Sequence, residues 1–209
     1  MKQINLIGNG GHSKVIQDLI RLVPDFKINR IFDQKIQHVY TMTDIFYHPQ
    51  MDLSQVSPSD DTFVIAIGDN HTRKKIYVAH QLLNFYETFN HPSAVISQQA
   101  TIESGAVIMA GAVVQADAIV GAHTIINTRA SVGHDCHIGA FAHIAPGATL
   151  TGNVKVGEGS MVGAGAVVIP GVSIGQWSTI GAGAVVTNDI PDYATAVGVP
   201  AKIRERSSQ

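Results

Sequence analysis

One cysteine, Cys136, stands in a chain of 209 residues, which excludes an intrachain disulfide and suits a reducing compartment. Charge is sparse: 14% of residues are charged and the formal net charge is −2. No basic stripe for nucleic acid and no acidic tail follows from that balance. The opening Met1-Lys2-Gln3-Ile4-Asn5-Leu6-Ile7-Gly8 is too short an apolar run for a signal peptide and lacks a cleavage-site pattern. Nor does any stretch reach the roughly 18 apolar residues of a membrane span. These absences predict a soluble cytoplasmic protein with no membrane insertion.

What is present is a period. From Ile96, every sixth residue is aliphatic without a break: Ile96, Ile102, Ile108, Val114, Val120, Ile126, Val132, Ile138, Ile144, Leu150, Val156, Val162, Val168, Ile174, Ile180 and Val186. Four residues after each stands a residue that is small in nearly every hexad, as at Ala106, Ala112, Ala118, Ala130, Cys136, Ala142, Ser160 and Ser178. Glycine often follows the aliphatic residue directly, as at Gly121, Gly133, Gly139, Gly157, Gly175 and Gly181. A helix needs a period of 3.6 and would not tolerate glycine and valine at this density. An antiparallel sheet would alternate between turns rather than keep a six-residue phase. The pattern predicts a parallel β-helix with three hexads per coil, the aliphatic side chain pointing into a narrow prism beside the small one. Glycine and other permissive residues are expected at its corners, where φ turns positive.

The first ninety residues read differently. Lys2–Gly8 reads as a buried strand. Gly8-Asn9-Gly10-Gly11-His12-Ser13 follows, then an amphipathic helix carrying Val15, Ile16, Leu19, Ile20 and Val23, ended by Pro24. Further strands are expected at Ile28–Phe32, at Thr62–Gly68 and at Thr88–Asn90, with a second helix running from Asp69-Asn70 to about Phe85. This βαβ…βα order predicts a small α/β, Rossmann-like subdomain over residues 1–91, followed by the all-β coil over 92–209. The glycine turn places backbone N–H groups at a helix N-terminus, a seat for phosphate, and Asp33 stands where a ribose-binding acid sits in such units. The third glycine of a dinucleotide motif is Ser13 here, so a plain strand–helix turn is the rival reading.

A filled prism has no room for a catalytic group, so chemistry must use outward positions. His134 and Asp135 occupy the third and fourth positions of the hexad Val132-Gly133-His134-Asp135-Cys136-His137, outside both inward slots. A histidine beside a carboxylate reads as a general base. With eighteen residues per coil, Asp117, Asp135 and Asn153 form one column, while His143 falls on a different face from His134. His137 and His123 read as structural or exposed. Cys136, in the small inward slot, reads as packing rather than nucleophile. The ten histidines show no ligand spacing for a metal. Trp177 stands outward, at an interface or a ligand's edge.

The hexads and the tail Ala196-Val197-Gly198-Val199-Pro200-Ala201-Lys202 resemble the hexapeptide-repeat acyltransferases. Ile7-Gly8-Asn9-Gly10-Gly11-His12 and Asn127-Thr128-Arg129-Ala130-Ser131-Val132-Gly133-His134-Asp135-Cys136 narrow the resemblance to the bacterial nucleotide-amino-sugar N-acetyltransferases of the PglD type, relatives of the NeuD sialic-acid O-acetyltransferases. It spans essentially the whole chain. It implies a left-handed coil and a homotrimer, with acetyl-CoA as co-substrate in the groove between adjacent β-helices, a UDP-sugar on the N-terminal subdomain, and no metal. It implies that His134 takes the proton as the sugar's 4-amino group attacks the thioester, with Asp135 where the family often has Glu. Asn127 and His143 match positions near the acceptor sugar and the thioester. Gly10, Gly11, His12, Asp33, Gly68 and Asn70 match the nucleotide site. Gly152, Ala164 and Ala182 would hold pantetheine, and Lys202 a CoA phosphate. The expected substrate is UDP-2-acetamido-4-amino-2,4,6-trideoxyglucose, giving UDP-N,N'-diacetylbacillosamine. A sugar O-acetyltransferase and a non-catalytic nucleotide-sugar-binding scaffold are the alternatives.

Overall fold

The computed structural model describes residues 1–49, 62–80 and 86–204. The chain divides into two compact units, Met1–Pro92 and Ser93–Gln209. Among the described residues no helix is long and apolar enough to cross a membrane.

The first unit is built on β1 (Lys2–Ile7), α1 (Gly11–Arg21), β2 (Phe26–Phe32), β3 (Tyr40–Met42), β4 (Ile45–His48), β5 (Thr62–Ile65), α2 (Asn70–Ala79) and β6 (Phe89–Asn90). Five of its strands form one sheet in the order β3-β4-β2-β1-β5. β1, β2, β4 and β5 run parallel, and β3 pairs antiparallel with β4. β1 lies between β2 and β5; its first two residues, Lys2 and Gln3, are exposed, and Ile4-Asn5-Leu6-Ile7 is buried, with Ile4 and Leu6 at 0% exposure. Helix α1 buries Ile16, Leu19 and Ile20 on one stripe. Val15 lies off that stripe and is exposed, contrary to expectation.

The hairpin β3–β4 was not expected from the sequence. Its turn is Thr43-Asp44, both at positive φ (53° and 64°), a conformation usually flagged by Asn-Gly or Asp-Gly. Without that signal, three- and four-residue strands are too short to announce themselves. Helix α2 is described to Ala79, with His80 at its C-cap; the expected continuation to Phe85 lies outside the described residues.

The second unit is the expected parallel β-helix. Two-residue strands recur every six residues from Val95–Ile96 to Val185–Val186 and stack eighteen apart, as in Val114↔Val132, Ile119↔His137 and Ile125↔His143. The aliphatic members from Ile108 to Val186 are all buried, and with the small residues they form one continuous core. Ile96 and Ile102 in the first coil are half-buried.

Glycine serves this coil in two distinct ways. Every fourth-position residue from Gly105 to Gly183 has positive φ, whether it is Gly, Asp, Asn, His, Arg, Phe or Trp. The corner is therefore the fourth position, not the second, where so many glycines stand. The second-position glycines have a different cause. A Cβ on Gly121 would lie 2.7 Å from the backbone N of Ala140, and one on Gly139 2.6 Å from that of Glu158. They mark places where the backbone of the next coil leaves no room.

The last coil is two residues short. Ile174 bridges Ile190, and Thr179 pairs with Thr195. The strand Thr195–Val197 continues the parallel stack, and Lys202–Ile203 then returns antiparallel to it.

Candidate active site

His134 and Asp135 are neighbours in sequence, and on a strand their side chains would point to opposite faces. Asp135 instead sits on a corner at φ 58°, a conformation that Asp and Asn adopt more readily than most. The turn folds the two side chains together, and His134 Nδ1 lies 2.6 Å from Asp135 Oδ2. An ionised carboxylate accepts only, so Nδ1 carries the proton and Nε2 presents its lone pair outward. Both side chains are more than half exposed (63% and 58%), so the pair is open to a substrate.

One coil on, Gly152 lies against the imidazole. A Cβ there would stand 2.5 Å from both Cε1 and Nε2 of His134. Gly152 is not among the positive-φ residues, so its backbone does not demand glycine; the histidine ring does. Cys136 is buried at 1% exposure, its thiol donates to the carbonyl of Thr151, and burial pushes its pKa up. That is the environment of a packing thiol.

A second cluster joins Asn127 and His143. Asn127 Oδ1 accepts from the Thr128 N–H at 2.8 Å, which fixes the amide's orientation. Its Nδ2 therefore faces His143 Nε2, 3.0 Å away. His143 is 9% exposed and belongs to the sheet containing Ile125–Ile126, whereas His134 follows the strand Ser131–Val132 of another sheet. The coil thus holds the two clusters on different faces. Ala164 and Ala182 are exposed one above the other, with the Gly183 N–H donating to the Ala164 carbonyl. Lys202 is exposed on the returning strand, opposite Val197. His137 is exposed, and His123 is buried with its ring stacked on Phe141, centroids 5.2 Å apart. Trp177 lies half-buried across Gly159.

Strand order reverses between β1 and β5, and the crevice outside the ends of strands at such a point is the usual place for a ligand on an open parallel sheet. Gly8, at φ 114°, lets one lip pass the other, because a Cβ there would lie 2.7 Å from Ile67 Cγ1. Gly10 and Gly11 have no such reason. Among the described residues a Cβ on either would meet nothing within 4 Å, yet both stand at the start of α1, which lacks a side-chain cap and acidic residues in its first turn. The open space and the uncapped helix N-terminus suit an anion approaching the backbone. Ser13 is fully buried, a small residue where the motif has its third glycine.

Asp33 braces this lip, accepting the Asn9 N–H at 2.7 Å on one oxygen and the Lys35 N–H at 2.8 Å on the other. The other lip is Ile67-Gly68-Asp69-Asn70. His12 approaches Gly68 across the crevice, 3.8 Å from where a Cβ would stand. Asp69 caps α2 by accepting from the Thr72 N–H, and those hydrogen bonds lower its pKa. Asn70 is buried and accepts from Arg73, a residue that sequence reasoning missed. A cation in a helix's first turn opposes the macrodipole, and that anomaly was the available signal. Among the described residues no group of three or more His, Cys, Asp or Glu is placed to hold a metal.

Comparison with known proteins bears on both units. Residues 3–79 match the model of the PglD N-terminal domain, and residues 117–152 and 153–188 match that of the bacterial transferase hexapeptide. The chain is 44% identical over 106 residues to the UDP-N-acetylbacillosamine N-acetyltransferase of Bacillus subtilis; the match spans 49% of this chain and 49% of that relative, about half its length. Among solved structures, the acetyltransferase domain of PglB from Neisseria gonorrhoeae is 36% identical, with a TM-score of 0.91 over 98% of this chain and 100% of that one. It has also been solved in complex with acetyl coenzyme A. PerB from Caulobacter crescentus, in complex with CoA and GDP-perosamine, is 37% identical, with a TM-score of 0.90 over 98% of each chain.

Proposed function

The chain belongs to the hexapeptide-repeat acetyltransferases that carry a PglD-type N-terminal domain, and from that premise we propose that it transfers the acetyl group of acetyl-CoA to the amino group of a nucleotide-linked amino sugar. The observation that carries this reading is the exposed His134–Asp135 pair, folded together on its corner over Gly152. The neutral sugar amine attacks the thioester carbonyl while Nε2 of His134 accepts the proton that the nitrogen sheds. Asp135 stabilises the imidazolium. The tetrahedral intermediate then collapses, the C–S bond breaks, and the proton returns to the departing CoA thiolate. No acyl-enzyme is needed, because an amine is already a competent nucleophile once aligned. The Gly152 N–H is the candidate donor to the oxyanion, since the Thr151 and Asn153 N–H groups already donate to the Val168 and His134 carbonyls.

The finer reading is UDP-2-acetamido-4-amino-2,4,6-trideoxyglucose as acceptor, with the nucleotide in the crevice of Gly10, Gly11, His12, Asp33, Gly68 and Asn70. Asn127 and His143 stand near acceptor and thioester, Ala164 and Ala182 along pantetheine, and Lys202 by a CoA phosphate. The two clusters on different faces favour a homotrimer in which His134 of one chain meets Asn127 and His143 of the next. The buried thiol of Cys136 fits a cytoplasmic setting. The N-acetyl reading is favoured over sugar O-acetylation because the Bacillus subtilis relative is named as an N-acetyltransferase.

The test is release of free thiol from acetyl-CoA across UDP-, GDP- and dTDP-4-amino sugars and CMP-sialic acid. Turnover concentrated on a UDP-4-amino sugar is the expected result. Preference for CMP-sialic acid would establish the O-acetyl alternative, and no turnover with any acceptor would leave the scaffold.

A further inference from the structure

Arg73 has 1% of its surface exposed, and no step of acetyl transfer uses it. Its position carries two costs, offset in part by the attraction of the Asp69 carboxylate at the N-cap of α2. A buried guanidinium forfeits hydration, and a cation in the first turn of α2 faces the positive end of the helix. Burial lowers its pKa to about 10, so it remains charged at neutral pH. An apolar side chain would fill the same space without either cost. Arg73 differs in where its donors go: the Ile67 carbonyl at 3.0 Å, the Gly68 carbonyl at 3.1 Å, and Asn70 Oδ1 at 2.9 Å. All three acceptors lie on one lip of the crevice.

The peptide plane gives these bonds a consequence. In a trans peptide, C=O and N–H point in opposite directions. The Ile67 carbonyl shares its plane with the Gly68 N–H, and the Gly68 carbonyl with the Asp69 N–H. Drawing both carbonyls onto Arg73 turns both N–H groups to the side away from it. The opposite lip is braced by the Asp33 carboxylate on the Asn9 N–H, so a charged side chain braces each lip.

We propose that Arg73 is a positioning residue for nucleotide-sugar binding: it holds the Ile67–Asn70 lip so that the N–H groups of Gly68 and Asp69 face the bound nucleotide. The inference rests on the nucleotide-sugar reading of the crevice. Arg73 touches no ligand and acts through Gly68 and Asn70.

The experiment measures nucleotide-sugar and acetyl-CoA binding by titration calorimetry on the full chain, alongside kcat and KM, for Arg73→Met, Arg73→Gln and Arg73→Lys. In the Met and Gln variants the nucleotide-sugar Kd and KM rise about tenfold, since hydrogen bonds to a charged donor are lost. The acetyl-CoA Kd and the kcat at saturating sugar stay within about twofold of wild type, below what one such bond is worth. Lys, which keeps the charge, recovers part of the loss. If the Met variant does not fold, the Gln variant is read by the same criterion. An unchanged nucleotide-sugar Kd overturns the proposal, as does a parallel loss of acetyl-CoA binding, which a merely structural residue would give. If the unsubstituted chain binds none of the UDP-, GDP- or dTDP-4-amino sugars, the nucleotide-sugar reading itself fails, and that control separates the two failures.

Discussion

At the scale of single residues, the proposed site rests on how one imidazole is held. Removing it tests the base directly: His134→Ala should lower kcat by about 10²- to 10⁴-fold, the usual contribution of a positioned base, while acetyl-CoA binding measured by calorimetry persists. Near-normal turnover would falsify the assignment. Gly152 tests how the ring is placed. A methyl group at that position would occupy the space of Cε1 and Nε2. Gly152→Ala should therefore lower kcat by about tenfold or more through misplacement and alter the pH–rate profile, with a melting temperature close to wild type because the backbone there accepts alanine. Gly11→Ala separates fold from ligand in the same way. None of the described residues comes within 4 Å of where its Cβ would stand, and alanine is favoured over glycine in a helix, by at most about 1 kcal/mol. A higher unfolding midpoint together with a weaker nucleotide-sugar Kd is the expected pair of results. His134 and Asp135 were legible in the sequence because the ladder excludes every inward position. The role of Gly152 was not, because stacking across eighteen residues shows which backbones are neighbours but not where a ring comes to rest.

At the scale of elements, the coil was the most legible part and the hairpin β3–β4 the least. The coil repeats one physical requirement at every sixth residue, so each hexad reinforces the next, whereas the hairpin is short and turns on Thr43-Asp44. The inward small slot has a further rule. Thr124 donates its hydroxyl to the Gly139 carbonyl, Cys136 its thiol to the Thr151 carbonyl, and Ser160 its hydroxyl to the Gly175 carbonyl. Each reaches fifteen residues ahead, so the thiol stands in for a hydroxyl. Cys136→Ser should keep activity and melting temperature near wild type. Cys136→Leu overpacks a fully occupied prism and should cost about 1–3 kcal/mol, measurable in urea unfolding. Arg73 escaped sequence reading for an elemental reason as well: its worth lies in the turn before its helix, not in the helix that carries it.

At the scale of the whole molecule, the coil keeps His134 and the Asn127–His143 pair on separate faces, so the proposed reaction needs a neighbouring chain. A mixing experiment follows. His134→Ala and His143→Ala chains, each inactive alone, should regain activity when co-expressed. Random assembly into cyclic trimers leaves about one site in four with both histidines intact, so roughly a quarter of wild-type activity is expected. Activity that stays at the level of the single variants would show that both histidines serve from one chain.

The strand stack also acts as a ruler. From His143 the rungs run through Met161, Thr179 and Thr195–Val197 to Lys202–Ile203, four steps in all. At about 4.8 Å per step this sets His143 and Lys202 roughly 19 Å apart along the axis. The antiparallel return strand closes the scale, because it offers no parallel edge for another coil. Adding or removing one eighteen-residue coil between the two would shift them by a whole division while leaving every side chain at either end unchanged. Under the proposed reading, the length of molecule gripped at both marks is thus written in the number of coils.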